Sequence, residues 1–289
     1  MALVLAWSSA FSVMEFGLEY APPVLFVAAR TLLAGLFMVI IALVWGGPAR
    51  LGRDWRIYAF LTVFNVALFI GFQTFAVLYL PSGTAAVLIY LQPILVGVLA
   101  RPVLGEPLTP TKLFGLVLGF LGIVAVSAGG LSGALNPVGV ACGVGSALAW
   151  ALGTVGFKKH EARISTPWAV ALPFLAGGIS LTALGLLLED PSDVSWTTPL
   201  ILSLLYMAFV GTGLAWLLFF ALVRAGQASR VASYIFVVPI AAVAIGALTL
   251  GETVGPSLLV GAALVVLGIY LVNRRAKGDG GGAGALVKR

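Results

Sequence analysis

Residues 86–126 return as residues 232–272 at a fixed offset of 146, and no gap is needed. Under that offset Pro93 falls on Pro239, Gly105-Glu106 on Gly251-Glu252 and Pro110 on Pro256. Gly115 falls on Gly261, and Gly122-Ile123 on Gly268-Ile269. Near the start of each half, Leu5-Ala6-Trp7 answers Leu148-Ala149-Trp150 at an offset of 143. Any fold for this chain must accommodate two copies of one supersecondary unit. In a very apolar chain, such a duplication is the mark of a membrane protein built from two structural repeats.

How apolar the chain is follows from its composition. Of 289 residues, 61% are hydrophobic and 9% charged, against roughly 25% charged in a soluble domain. Apolar runs of this length imply helices, because backbone polar groups in lipid must bond internally. At roughly 20 residues per span, the runs predict ten helices. They lie near 2–20, 23–46, 57–79, 82–101, 110–129, 137–157, 168–188, 198–222, 229–250 and 255–272. The first run begins almost at Met1, with no basic stretch before it and no convincing cleavage site, so no removable signal peptide is expected.

The cations give these helices a direction. With the N-terminus in the cytoplasm, the inner side receives Arg50, Arg53, Arg56, Arg101, Lys112, Lys158, Lys159, Arg163, Arg224 and Arg230. Arg274, Arg275, Lys277, Lys288 and Arg289 join them from the tail, so that 15 of the 16 Lys and Arg residues lie inside. The outer loops carry Glu189, Asp190, Asp193 and Glu252 and no cation. Cytoplasmic loops attract the cations of membrane proteins, so both termini are expected inside. Five helices per half make the second copy inverted relative to the first. The expected fold is an all-α membrane protein with ten transmembrane helices in two inverted five-helix repeats. The first repeat covers 1–134 and the second 135–272. Residues 273–289 form a cytoplasmic tail, expected to be disordered.

Several short pieces at fixed spacing also resemble a known family. They are Ala6-Trp7, Pro22-Pro23 with Ala29-Arg30, Leu91-Gln92-Pro93, Gly105-Glu106 and Gly115…Gly122-Ile123. Val238-Pro239, Gly251-Glu252 and Gly261…Gly268-Ile269 are the counterparts in the second half. Together they are similar to the drug/metabolite transporter superfamily, in particular its ten-helix EamA-type exporters. Within these the chain looks most like the YddG-type exporters of aromatic and other neutral amino acids. The resemblance implies secondary transport, without an enzymatic reaction and without a cofactor. Members of that family commonly carry a cation about two turns after the first-helix tryptophan, where this chain has Glu15.

Polar groups inside membrane spans are costly and usually serve a purpose. Glu15 and Arg30 are the ionisable ones, read either as a gate or carboxylate clamp or as a structural ion pair between the first two helices. Uncharged candidates for substrate binding are Trp7, Ser8, Phe11 and Ser12 on one face of the first helix. Asn65, Tyr90, Trp150, Thr154, Trp216 and Ser233 extend the set. Aromatic walls with a few hydroxyl and amide groups suit a cavity for a small, partly apolar solute; the competing reading is helix packing by Ser and Thr. Trp168 and Trp196, near span ends, read as interfacial residues. Pro93 and Pro239 each remove a backbone bond mid-helix and bend it, as a moving part or as a static kink. Gly115-x-x-x-Gly119 and Gly139-x-x-x-Gly143 read as close helix contacts within the chain.

Absences narrow the function. The sequence has no Walker loop for nucleotide-driven transport, no His/Asp/Glu cluster for a metal and no Gly-x-Ser-x-Gly nucleophile motif. The net charge of +6 is explained by topology and not by nucleic acid. The expectation is a monomeric inner-membrane secondary transporter in the lipid bilayer. Its substrate would be a small neutral or zwitterionic metabolite, with amino acids the favoured class. The alternatives are an exporter of lipophilic cationic drugs and, behind it, an intramembrane enzyme.

Overall fold

The computed structural model describes residues 1–128, 135–250 and 256–274. Among them, eight helices are long and apolar enough to cross a membrane, and two further apolar helices have 17 residues. In chain order they are α1 (Ala2–Leu18), α2 (Pro23–Trp45), α3 (Leu51–Tyr79), α4 (Ser82–Leu104) and α5 (Pro110–Val126). The second half supplies α6 (Pro137–His160), α7 (Thr166–Leu188), α8 (Thr198–Ala225), α9 (Ala228–Ile245) and α10 (Pro256–Asn273). No strand occurs among the described residues.

Local chemistry sets the ends. Proline stands in the first turn of α2, α5, α6, α7 and α8, where its missing N–H would be unpaired anyway. Thr109 caps α5 by accepting from the Lys112 N–H, and Asn136 caps α6 by accepting from the N–H groups of Val138 and Gly139. The carboxylate of Glu189, just past α7, accepts from the N–H groups of Val24 and Leu25 at 2.9 and 2.7 Å. It thereby closes the start of α2, two of whose first amide groups have no partner within the helix. α3 begins six residues before the predicted span, and its first turn carries Asp54, which is buried and paired with Arg163 at 2.5 Å.

Packing follows one rule. α1 packs on α8 and α9; α6 packs on α3 and α4. α2 packs on α8, and α7 on α3; α2 also crosses α7, and α5 crosses α10. Exchanging the two halves maps this set of pairs onto itself. The two crossings obey the sequence offsets atom by atom. A Cβ on Gly115 would lie 2.7 Å from the Gly268 carbonyl oxygen, and one on Gly261 2.7 Å from that of Gly122. At the other crossing, a Cβ on Gly35 would strike the backbone of Leu175 at 2.4 Å. Its counterpart on Gly178 would strike the backbone of Leu32 at 2.7 Å. Small residues that let helix backbones touch take the place of a hydrophobic drive that lipid cannot provide. Gly119 faces the Phe236 ring, Gly139 faces Leu80 and Gly143 faces Leu88, so these glycines also serve contacts within the chain.

The helices are irregular at matching places. α4 breaks at Tyr90–Leu91 and α9 tightens at Tyr234–Phe236, in each case just before the proline of the pair Pro93/Pro239. Each proline withholds the N–H that the preceding turn needs. α3 widens into a π-helical stretch at Thr62–Leu68, and α8 does so at Met207–Leu214. The offset of 146 carries 62–68 onto 208–214, inside the second stretch. π-helical turns are rare and tend to mark functional positions.

Candidate functional site

Two groups of helices, α1/α8/α9 and α3/α4/α6, face each other, and aromatic rings fill the seam between them. Trp7 on α1 meets Trp150 on α6 edge to face, with ring centroids 5.6 Å apart. The two occupy matching positions in the sequence repeat, at an offset of 143. Trp216 on α8 stands 6.2 Å from Trp7 and 6.1 Å from Trp150. Phe69 on α3 lies 4.8 Å from Trp150, and Phe219 and Phe174 complete the cluster. Trp150 and Trp216 are buried and Trp7 half-buried. Each such ring pair adds about 0.5–1.5 kcal/mol beyond area burial.

Against this apolar wall lies a set of polar atoms with no hydrogen-bond partner among the described residues: Asn65 Oδ1 and Nδ2, Gln92 Oε1 and Trp150 Nε1. Asn65 is fully buried in the π-helical stretch of α3. It packs on α6 so tightly that a Cβ on Gly153 would overlap its side-chain amide, at 2.1 Å from Oδ1. Gln92 donates through Nε2 to the Thr154 hydroxyl at 3.4 Å, and that hydroxyl donates to the Trp150 carbonyl. An unmet buried polar group costs about 1–3 kcal/mol, and natural interiors hold few of them. Two acceptors and two donors are thus left open beside a wall of indoles, the chemistry that a small polar solute can meet. The π-helical stretch of α8 holds the other polar feature. Its Thr212 accepts from Arg30 of α2 at 3.4 Å, while Arg30 Nε is buried without a partner.

The remaining sequence candidates divide. Tyr90 is buried at the break in α4. Ser8 is fully buried; its hydroxyl donates to the Val4 carbonyl of its own helix at 2.6 Å and also lies 3.0 Å from the Val238 carbonyl of α9, beside Pro239. Ser233 donates to the Arg230 carbonyl. The side chains of Phe11 and Ser12 lie outside the described residues, as does Glu252. Glu15 is exposed and makes no ion pair with Arg30, so the pairing of the first two helices through these charges does not occur. The reason is rotational: Arg30 turns toward α8 and Glu15 turns away from the seam. Trp196 is exposed as expected of an interfacial residue, but Trp168 is buried and donates to the Gly47 carbonyl at 2.7 Å. Gln92, Phe174 and Phe219 were not singled out as site residues from sequence. The spacing of Trp216 and Phe219 on one helical face is the signal that points to the last of these.

Comparison with known proteins decides the class. The sequence model of the EamA-like transporter family matches residues 1–128 and again residues 137–274. The chain belongs to the EamA-like transporter family. It is therefore a membrane transporter, and eight of its helices among the described residues are long and apolar enough to span the bilayer. An uncharacterized transporter of Bacillus subtilis (strain 168), YvbV, is 40% identical over 275 residues, covering 95% of this chain and 90% of that protein. A probable amino-acid metabolite efflux pump of Salmonella typhimurium is 29% identical over 94% of this chain and 92% of its own. The inner membrane transporter YedA of Escherichia coli K12 is 27% identical over 94% of this chain and 88% of its own. A crystal structure aligns with a TM-score of 0.83 and 21% identity over 94% of both chains, which shows a shared fold. Among the described residues of this EamA-like transporter, no three metal-ligating side chains converge.

Proposed function

We propose that this EamA-like transporter exports small neutral or zwitterionic metabolites across the inner membrane, with aromatic and other neutral amino acids as the favoured class. Ten transmembrane helices in two inverted repeats, 1–134 and 135–272, place both termini in the cytoplasm; the charge asymmetry and the exchange-invariant packing support this. The cleft runs along the seam between α1/α8/α9 and α3/α4/α6. Rocking about the α2–α7 and α5–α10 crossings exposes the seam to each side in turn. Pro93, Pro239 and the two π-helical stretches supply the bends.

The observation that carries the substrate class is the open polar set beside the indoles. Asn65 Oδ1 and Gln92 Oε1 accept from an ammonium group; Asn65 Nδ2 and Trp150 Nε1 donate to a carboxylate. Trp7, Trp150 and Trp216 meet the apolar side chain. Arg30 near Thr212 opposes a cationic drug and favours an acid. The name of the Salmonella relative, an amino-acid metabolite efflux pump, points the same way.

Counterflow in proteoliposomes across amino acids, sugars and cationic dyes tests this. Neutral amino acids are expected to exchange and dyes not to. Asn65→Leu keeps the volume and removes both hydrogen-bonding atoms. It should lower amino-acid exchange about tenfold or more, the equivalent of about 1.4 kcal/mol, with no loss of thermal stability because no protein partner is abandoned. Exchange of cationic dyes alone would refute the reading.

A further inference from the structure

We propose that the cytosolic mouth of the seam is a docking vestibule for the carboxylate of the exported solute, shut off from the central site by a stacked phenylalanine pair. The proposal rests on the exporter reading above and adds where, and by what charge, the solute is first met. A cavity of about 730 Å³ opens where the ends of α4, α6 and α8 meet the start of α9. Glu106, Lys158, Lys159, Ala225 and Arg230 are in its wall.

Two of the four charged groups there, Glu106 and Lys158, are already committed. The Glu106 carboxylate accepts from the Ala228 N–H at 2.6 Å, the Ser229 N–H at 3.2 Å and the Ser229 hydroxyl, and lies 3.8 Å from Lys112. It fastens the α4–α5 corner to α9. Lys158 pairs with Glu161 at 2.9 Å and donates to the Arg224 carbonyl. Lys159 and Arg230 remain: neither side chain has a partner among the described residues, and Arg230 Nε is buried and unmet. A guanidinium fork beside an ammonium fits a carboxylate. Glu106 in the same wall disfavours a dianion such as a phosphate monoester, yet suits the ammonium end of a zwitterion. A lipophilic cation meets three positive charges and is turned away.

Directly inward lies the closure. Phe157, adjacent to Lys158, stacks on Phe220 with centroids 4.1 Å apart and planes 9° apart, and both are fully buried. Trp150 and Trp216 sit one to two turns deeper on the same helices. The Arg224 guanidinium lies 5.9 Å from the Phe157 ring and donates to the carbonyls of Glu161 and Ile164, clasping α8 to the α6–α7 corner. At the opposite mouth the offsets put Met14 and Thr74 in place of the phenylalanines. There α1 and α3 do not pack extensively among the described residues.

The test uses the full chain in proteoliposomes on a Cys142→Ser background. With Ala225→Cys as reporter, an anionic methanethiosulfonate reagent should react several-fold faster than a cationic one. Adding Lys159→Gln and Arg230→Gln should lower that ratio about tenfold, and high salt should erase it. In transport of radiolabelled L-phenylalanine, the double variant should raise KM about fivefold from the cytosolic face and leave the outer-face KM unchanged. An unchanged reagent ratio, or an equal KM change on both faces, overturns the vestibule. So does phosphatidylglycerol shielding the reporter in the parent but not in the variant, which would make the pocket a lipid headgroup site. A parent chain that moves no amino acid defeats the exporter reading instead, while the reagent ratio still decides the charge of the pocket.

Discussion

Replacing Trp150 by alanine should abolish detectable exchange and also weaken the fold. The indole is buried between Trp7, Phe69, Trp216 and Phe219. A core Trp→Ala change costs about 3–5 kcal/mol. Loss of transport in that variant is therefore not diagnostic by itself. Trp150→Phe separates the two effects: it keeps a ring in the seam while removing Nε1, which has no partner among the described residues, together with two ring carbons. Its melting temperature should fall by a few degrees at most, while exchange of a neutral amino acid drops about five- to tenfold, the worth of one hydrogen bond of about 1–1.4 kcal/mol. Trp7→Ala, at a half-buried position, should sit between these two in stability. Counterflow and thermal melting of the three variants in detergent check the order.

The second large effect belongs to the α5–α10 crossing. Gly122→Ala would place a methyl group 2.7 Å from the Gly261 carbonyl oxygen and 3.0 Å from the Val265 nitrogen. Those are backbone atoms, so the helices must separate. The cost should be about 2–3 kcal/mol, a fall in melting temperature of roughly 4–12 °C. The same substitution at Gly52, where a Cβ meets nothing within 4 Å, should raise stability by about 0.5–1 kcal/mol, because alanine holds a helix better than glycine. Opposite signs from identical chemistry are the expected result of parallel melts. Equal effects at both sites would mean that α5 and α10 are not in backbone contact.

Much of this architecture was legible in the sequence, for identifiable reasons. Helix positions followed from apolar runs, because lipid leaves the backbone no other choice. The Gly115/Gly261 and Gly122/Gly268 pairs were visible as repeat matches, and their cross-contacts give those matches a cause. Trp7 and Trp150 were legible as matching cavity candidates, but the repeat alone does not say that their rings touch. What sequence did not yield was rotation about each helix axis. Glu15 and Arg30 share a hairpin, yet one faces outward and the other turns to Thr212. Trp168, near a span end like Trp196, is drawn in by the Gly47 carbonyl. The π-helical stretches left no periodic trace either, since an extra residue per turn changes facing and not composition. Asn65 and Thr212 both lie within these stretches.

The central claim is that α1/α8/α9 and α3/α4/α6 move against each other to open the seam to one side at a time. Distances between spin labels in proteoliposomes address it directly. On the Cys142→Ser background, one pair at Lys159→Cys and Leu222→Cys reports the basic mouth. A second pair at Phe16→Cys and Leu78→Cys reports the acidic one. On addition of saturating L-phenylalanine, the two pairs should change in opposite senses, one distance lengthening in population as the other shortens. A single unchanged distance for both pairs, or a shift of both in the same sense, would contradict the account.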